Sequence, residues 1–271
     1  MLSSCGDGEY NSQMHILVTN DDGITAPGLL ALARAMNGLG LVTVLAPDRN
    51  WSASGHVKTM DRPLRVKEVP LLEGVSCFTT DGAPSDCVAL ANLGVLPEKI
   101  DLVVSGINPS ANLGHDVTYS GTVTAAMEAA IWGMPGIAVS LDAPADGVGL
   151  INFEAAASTA RRVVGQVIRR CLPANVLLNV NIPYLPEGQI KGVMVTRQGL
   201  RVYRDKLISR LDPRNRPYYW IGGDAPTGVP DEGTDIGALS RGYVSITPIH
   251  LDMTSYTALE ALRGWEWKED G

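Results

Sequence analysis

Little in this sequence points to covalent staples, membranes or polyanions. The four cysteines, Cys5, Cys77, Cys87 and Cys171, are too few and too scattered for a disulfide framework, and they form no CxxC pair for zinc. They read as reduced, structural or idle thiols. No apolar run reaches the roughly 18 residues that a membrane span needs, so no membrane contact is expected. Residues 1–13 are polar and lack the basic start and apolar centre of a signal peptide. They read as a flexible tail on a cytoplasmic protein. Positive charge is also short: Lys and Arg number 22 against 29 Asp and Glu, a net of −7. That balance excludes the broad basic surface that a nucleic-acid duplex selects. It leaves room for a small phosphorylated substrate, because a bound dication reverses the local field. Several catalytic signatures are missing as well. Without GxGxxG after the first strand, GxxxxGK[ST], GxSxG or HExxH, the dinucleotide, P-loop, hydrolase-elbow and zincin readings lose their support.

What is present is an alternation of short β-branched runs with Ala/Leu-rich helical stretches. Strands are expected at 15–19, 41–45, 101–105, 136–141 and 176–180. Helices are expected at 27–36, 84–93, 122–132 and 153–171, two of them opened by Pro27 and Pro84. The pattern implies an α/β fold, Rossmann-like, with a mostly parallel sheet, helices on both faces and right-handed crossovers. Past residue 190 it changes. After a strand at 193–196, residues 197–235 are rich in Pro, Gly and polar residues around a Tyr-Tyr-Trp-Ile cluster at 218–221. They fit an extended β-hairpin arm with little core of its own, which packs on something else, often another subunit. A strand at 243–247 and a helix at 255–265 close the chain. The expected division is a tail at 1–13, an α/β catalytic core at 14–196, an arm at 197–240 and a returning strand with a C-terminal helix at 241–271.

In such sheets ligands sit beyond the carboxyl ends of the strands. The first strand ends in Asn20, Asp21, Asp22 and Gly23. Adjacent carboxylates repel, and burial worsens the repulsion, so the pair makes sense around a dication. Consecutive strand residues point to opposite faces, and Gly23 supplies the turn that lets both reach one ion. The competing reading is an ordinary Asp-Gly turn. Ser52 and Asn108 follow two other strands and offer hard oxygen donors suited to Mg²⁺ or Mn²⁺, although a loop serine is usually a cap and Asn-Pro usually a turn. The loop from Asn112 to Thr122 feeds a helix. Its backbone N–H groups, with the Ser120 and Thr122 hydroxyls, make an anion site or, more simply, an N-cap. The Asn112 amide is placed to donate to an oxygen gaining charge. Of four scattered histidines, His115 in this loop is the one to test for proton transfer, and His15 reads as structural.

The ordered set of motifs resembles the SurE family, the survival-protein E nucleotidases. It comprises ILVTNDDG at 16–23, APG at 26–28, APDRN at 46–50, DGAPSDCV at 81–88, VVSGIN at 103–108, NLG at 112–114, YSGTV at 119–123 and GYVSITP at 242–248, and it spans about 14 to 257. The resemblance implies a metal-dependent phosphatase acting on nucleoside 5′- and 3′-monophosphates, with short polyphosphate as a further substrate in some relatives. It places one divalent cation, Mg²⁺ or Mn²⁺, on Asp21, Asp22, Ser52 and Asn108. Phosphate falls on Asn112, Ser120, Gly121 and Thr122, and Asp21, Asp22 and Asn112 become the catalytic set. It further implies a homodimer or homotetramer with exchanged C-terminal arms. The chain departs from many relatives after Asn50, where Arg-Ser-Gly is replaced by Trp51, Ser52, Ala53, Ser54 and Gly55. Counting forward from Asn50 selects Ser52 as the ligand, and counting back from Gly55 selects Ser54. The expected chemistry is attack on phosphorus by a metal-activated water, either aspartate accepting its proton. The alternatives are a polyphosphatase and a non-catalytic nucleotide-binding oligomer.

Overall fold

The structure is a computed structural model that describes residues 14–144, 150–265 and 267. The tail at 1–13 lies outside the described residues. Six parallel strands make the centre of a nine-stranded sheet: β4 (Ser76–Thr80), β2 (Leu41–Pro47), β1 (His15–Thr19), β5 (Leu102–Asn108), β6 (Gly136–Asp142) and β7 (Val176–Pro183), in that spatial order. β3 (Val66–Glu68) adds antiparallel to β4 at one edge. At the other, β11 (Val244–His250) runs antiparallel to β7, and β8 (Val193–Val195) pairs with β11.

The central strands are buried on both faces, which is why they read as continuous apolar runs rather than alternations. Ile16 and Val18 face one layer with Leu29, Leu32 and Met36 of α1 (Pro27–Met36) and Ala156, Ala160 and Val164 of α4 (Glu154–Arg170). Leu17 and Val103 face the opposite layer with Val88 of α2 (Pro84–Leu90) and Ala125 of α3 (Gly121–Ile131). His15 is buried and its Nε2 meets Thr43 Oγ1 at 2.8 Å, the structural role expected of it. Cys77 and Cys87 are free and buried. Cys171, at the exposed end of α4, is disulfide-bonded, so the expectation of reduced thiols holds for the buried pair only.

Three elements escape the periodicity. β3 and β4 are short and carry Lys, Glu, Ser and Thr among few apolar residues, and α5 (Asp235–Ser240) is six residues long with an internal glycine. β5 runs three residues beyond its expected end, to Asn108. The α2 helix stops at Leu90 and passes into a single wide turn, Ala91–Val95. β9 (Arg201–Leu211) and β10 (Pro217–Gly228) pair antiparallel as a separate long hairpin. No helix among the described residues is long and apolar enough to cross a membrane.

The strand order fixes where a ligand belongs. From β1 the chain moves outward through β2 and β4, then returns to place β5 on the other side of β1. The crevice beyond the carboxyl ends of β1 and β5 is the switch point of this doubly wound sheet.

Candidate active site

Asp21 and Asp22 leave β1 at that switch point, and Asn108 ends the neighbouring strand. Thr19 pairs in register with Ser105, so the two strand ends sit side by side. The start of α1 closes against β5 as well: a Cβ on Gly28 would lie 2.1 Å from the Ile107 carbonyl oxygen, next to Asn108. The chain leaves the extended state at once. The Asn20 amide brackets the turn, donating to Gly23 O at 3.1 Å and accepting from Gly23 N at 3.2 Å, and Gly23 takes φ +102°.

Asp21 is almost fully buried beneath the first turn of α3. It accepts from the Thr122 hydroxyl, and the backbone N–H groups of Gly121 and Thr122 stabilise its charge. Burial raises its pKa, and those donors oppose the rise without cancelling it. Asp22 is half-buried, and its pKa is pushed up to about 6, first by desolvation and then by the Asp21 charge. Neither carboxylate forms an ion pair with Lys, Arg or His among the described residues. The Asp22 side chain meets an amide: Asn50 donates to Asp22 Oδ1 at 3.4 Å. Two desolvated carboxylates with no cationic side chain fit a hard divalent cation held by oxygen donors.

The β2 loop reaches the pair through its backbone. Trp51 N donates to Asp21 O at 2.7 Å, and Ser52 N is held by Asn50 Oδ1 at 2.7 Å. The Ser52 side chain is exposed beside these contacts, whereas the Ser54 hydroxyl turns to Gly55 O at 3.4 Å. Asn108 is half-buried, and its amide donates to Ser110 O. Ser120 is the N-cap of α3, accepting from Val123 N at 3.2 Å, so the simple capping reading describes its present bond. Asn112 is bonded to β6 and β7: its Nδ2 donates to Ser140 Oγ at 2.8 Å and its backbone is bonded to Asn179 and Asn181. His115 is exposed on the turn that follows.

Four supporting residues lie beyond the sequence reading. Asn50 enters it only as part of a motif. Asn179 and Asn181 are two amides in an otherwise apolar strand, a signal that could have found them. Glu128 has no local signal. It lies 2 % exposed on α3, with His56 Nε2 at 2.9 Å, Trp132 Nε1 at 2.8 Å and Lys58 Nζ at 3.1 Å. It therefore ties the chain just past Ser54 to the helix whose first turn holds Asp21. Burial pushes its pKa up, but the His56, Trp132 and Lys58 donors outweigh burial and bring it down to about 2. A depressed carboxylate stabilises the fold above its unfolded value and loses that contribution as pH falls through the folded one. Glu128→Gln is therefore expected to lower Tm at pH 7 by about 2–4 °C for each kcal/mol lost, the loss being about 1–3 kcal/mol. The gap from wild type should close as the pH approaches 2. Thermal melts of both proteins across that range check it, and a gap independent of pH would refute the ionic role.

The hairpin root is tied to the same region. Arg201 Nε and the Tyr203 hydroxyl meet the two Asp116 carboxylate oxygens at 2.8 and 2.7 Å. Beyond the root, Leu207, Trp220 and Ile221 are exposed, and α6 (Tyr256–Arg263) buries no residue.

Comparison with known proteins adds a second line of findings. The family model described as Survival protein SurE matches residues 16–205. A 5′-nucleotidase SurE from Chloroflexus aggregans is 53 % identical over 255 residues, covering 94 % of this chain and 100 % of that protein. One from Geobacter sulfurreducens is 49 % identical over 253 residues, covering 93 % and 94 %. A crystal structure of a SurE protein from Aquifex aeolicus superposes with a TM-score of 0.77 at 41 % identity, covering 92 % of this chain and 98 % of that one.

Proposed function

The chain belongs to the SurE family, and from that membership and the paired carboxylates we propose that it is a divalent-metal-dependent nucleotidase that hydrolyses nucleoside 5′- and 3′-monophosphates to nucleoside and phosphate. The observation that carries the reading is the Asp21–Asp22 pair, desolvated, without a cationic partner and packed under a helix start at the sheet's switch point.

Asp21, Asp22, Asn108 and Ser52 are the oxygen donors that would hold one Mg²⁺ or Mn²⁺. When bound, that ion neutralises phosphoryl charge and supplies an acidified water. The chain's own residues do the rest. Phosphoryl transfer needs positioning and charge compensation rather than covalent help. The first turn of α3 aims the Gly121 and Thr122 N–H groups and the Thr122 hydroxyl at the carboxylate rim, where an anion gains from the helix end. Ser120 fixes that turn by capping it. Asn112 keeps one amide N–H on Ser140 and has a second for a substrate oxygen. One carboxylate of the Asp21–Asp22 pair is suited to accept a proton there.

The exposed apolar residues of the hairpin and of α6 are the surface of a homo-oligomer, a dimer or tetramer in which the arm packs on a second copy. The reading puts the protein in the cytoplasm, where nucleotides are.

Phosphate release from a panel of 5′- and 3′-nucleoside monophosphates and tripolyphosphate, with Mg²⁺, Mn²⁺ or a chelator, tests the proposal. The expected result is metal-dependent release from the monophosphates with a higher kcat/KM than for tripolyphosphate. Nucleotide binding without release would overturn it.

A further inference from the structure

We propose that Asn179, Asn181 and Ser140 are positioning residues that hold Asn112 in its working orientation. This rests on the reading of Asn112 as a phosphate-site residue.

Asn179 and Asn181 belong to β7, between β6 and β11 in the body of the sheet, and both are fully buried. Two residues apart on a strand, they point to the same face. Ser140 pairs in register with Asn181 and is fully buried too. A fully buried amide is costly unless its hydrogen bonds are made. Leucine or valine would fill this strand face at no such cost, as Leu177 does on the same face and Val180 and Ile182 do on the opposite one.

What these side chains bond is a single residue of a loop far away in the chain. Asn181 Oδ1 accepts from Asn112 N at 2.8 Å. Asn179 Nδ2 and Asn181 Nδ2 both donate to Asn112 O, at 2.8 and 3.0 Å. Asn112 Nδ2 donates to Ser140 Oγ at 2.8 Å. Backbone donor, backbone acceptor and side-chain amide of Asn112 are thus each held by a buried strand side chain. No ladder partner does this work, because residue 112 lies outside every strand. Asn179 Oδ1 has no hydrogen-bond partner among the described residues. The strand therefore bears an uncompensated polar atom as well, which packing alone does not explain. The clamp fixes the direction of the remaining Asn112 N–H, and a small misplacement of such a donor is enough to slow a reaction by orders of magnitude.

A double-mutant cycle on the full chain tests this. Asn181→Leu is made in the wild-type and in the Asn112→Ala backgrounds, and kcat, KM and Tm are measured with a nucleoside monophosphate and Mn²⁺. If Asn181 acts through the Asn112 side chain, Asn181→Leu lowers kcat about tenfold or more in the wild-type background. KM changes little. In the Asn112→Ala background it changes kcat less than about twofold, because the group it positions is gone. Any fall in Tm is the same in both. Ser140→Ala and Ser140→Thr serve if Asn181→Leu does not fold: the alanine is expected to lower kcat and the threonine, which restores the hydroxyl, to recover it. Equal kcat losses in the two backgrounds, or no loss in the wild-type background while Asn112→Ala alone is slow, would overturn the positioning role. Full activity of Asn112→Ala itself would instead remove the reading beneath it.

Discussion

Asp21→Asn is expected to cut kcat by about a hundredfold or more, the scale of lost electrostatic or general-base assistance, while leaving the metal-free fold at least as stable. The two halves of that result have one cause. Asp21 is 3 % exposed, and burial raises its pKa despite the Thr122 hydroxyl and the N–H groups of Gly121 and Thr122. A carboxylate held at that cost is maintained for a ligand, because an uncharged amide accepts from the same hydroxyl without the desolvation. The cation changes the balance. A ligand that binds only the folded state at a hundred times its Kd adds about 2.7 kcal/mol, which at about 2–4 °C per kcal/mol is a readable rise in Tm. Wild type should show that rise with Mn²⁺ or Mg²⁺, and Asp21→Asn should lose most of it. Melting curves with metal and with chelator, beside turnover, check both. Near-wild-type kcat, or a wild-type metal-induced rise in the variant, would remove Asp21 from the metal site.

The parts of the fold legible from sequence are those whose burial is two-sided or strongly amphipathic. β1, α1, β6 and α4 announce themselves because their apolar periods meet a core on every period. β3 and β4 do not, since they lie towards an edge of the sheet and mix polar with apolar residues. The same logic governs the site. Asp21 and Asp22 are legible because charge directly after a buried strand needs a reason. The tie from Glu128 to His56 and Lys58 is not, because it joins α3 to a loop about 70 residues away, and nothing local marks a lone glutamate as buried. Asn179 and Asn181 sit between these cases. Two amides in VLLNVNIP signal an anomaly, but only the folded chain shows that both turn to Asn112.

Gly121→Ala is expected to cost about a hundredfold in kcat, the scale of a small misplacement of reacting groups, although alanine is the better helix former by about 1 kcal/mol. The reason is contact. A Cβ on Gly121 would lie 2.6 Å from Asp21 Cβ and 3.0 Å from its Oδ2. One side must yield, and neither is loose. Asp21 is bound through its carbonyl to Trp51 N at 2.7 Å, so its movement drags the loop that carries Ser52. The first turn of α3 is fixed by the Ser120 cap, so its movement carries away the Thr122 hydroxyl and the N–H groups that face the carboxylate. Overpacking of this kind costs about 1–3 kcal/mol in stability, so the variant should fold and melt only somewhat earlier. Gly188→Ala is the control, because a Cβ there meets nothing within 4 Å, and its kcat should match wild type. The double variant Asp21→Asn with Gly121→Ala should be scarcely slower than Asp21→Asn alone, since both act on the same carboxylate. Turnover of Gly121→Ala within about threefold of wild type would mean that the helix start and the carboxylate are not a single catalytic unit.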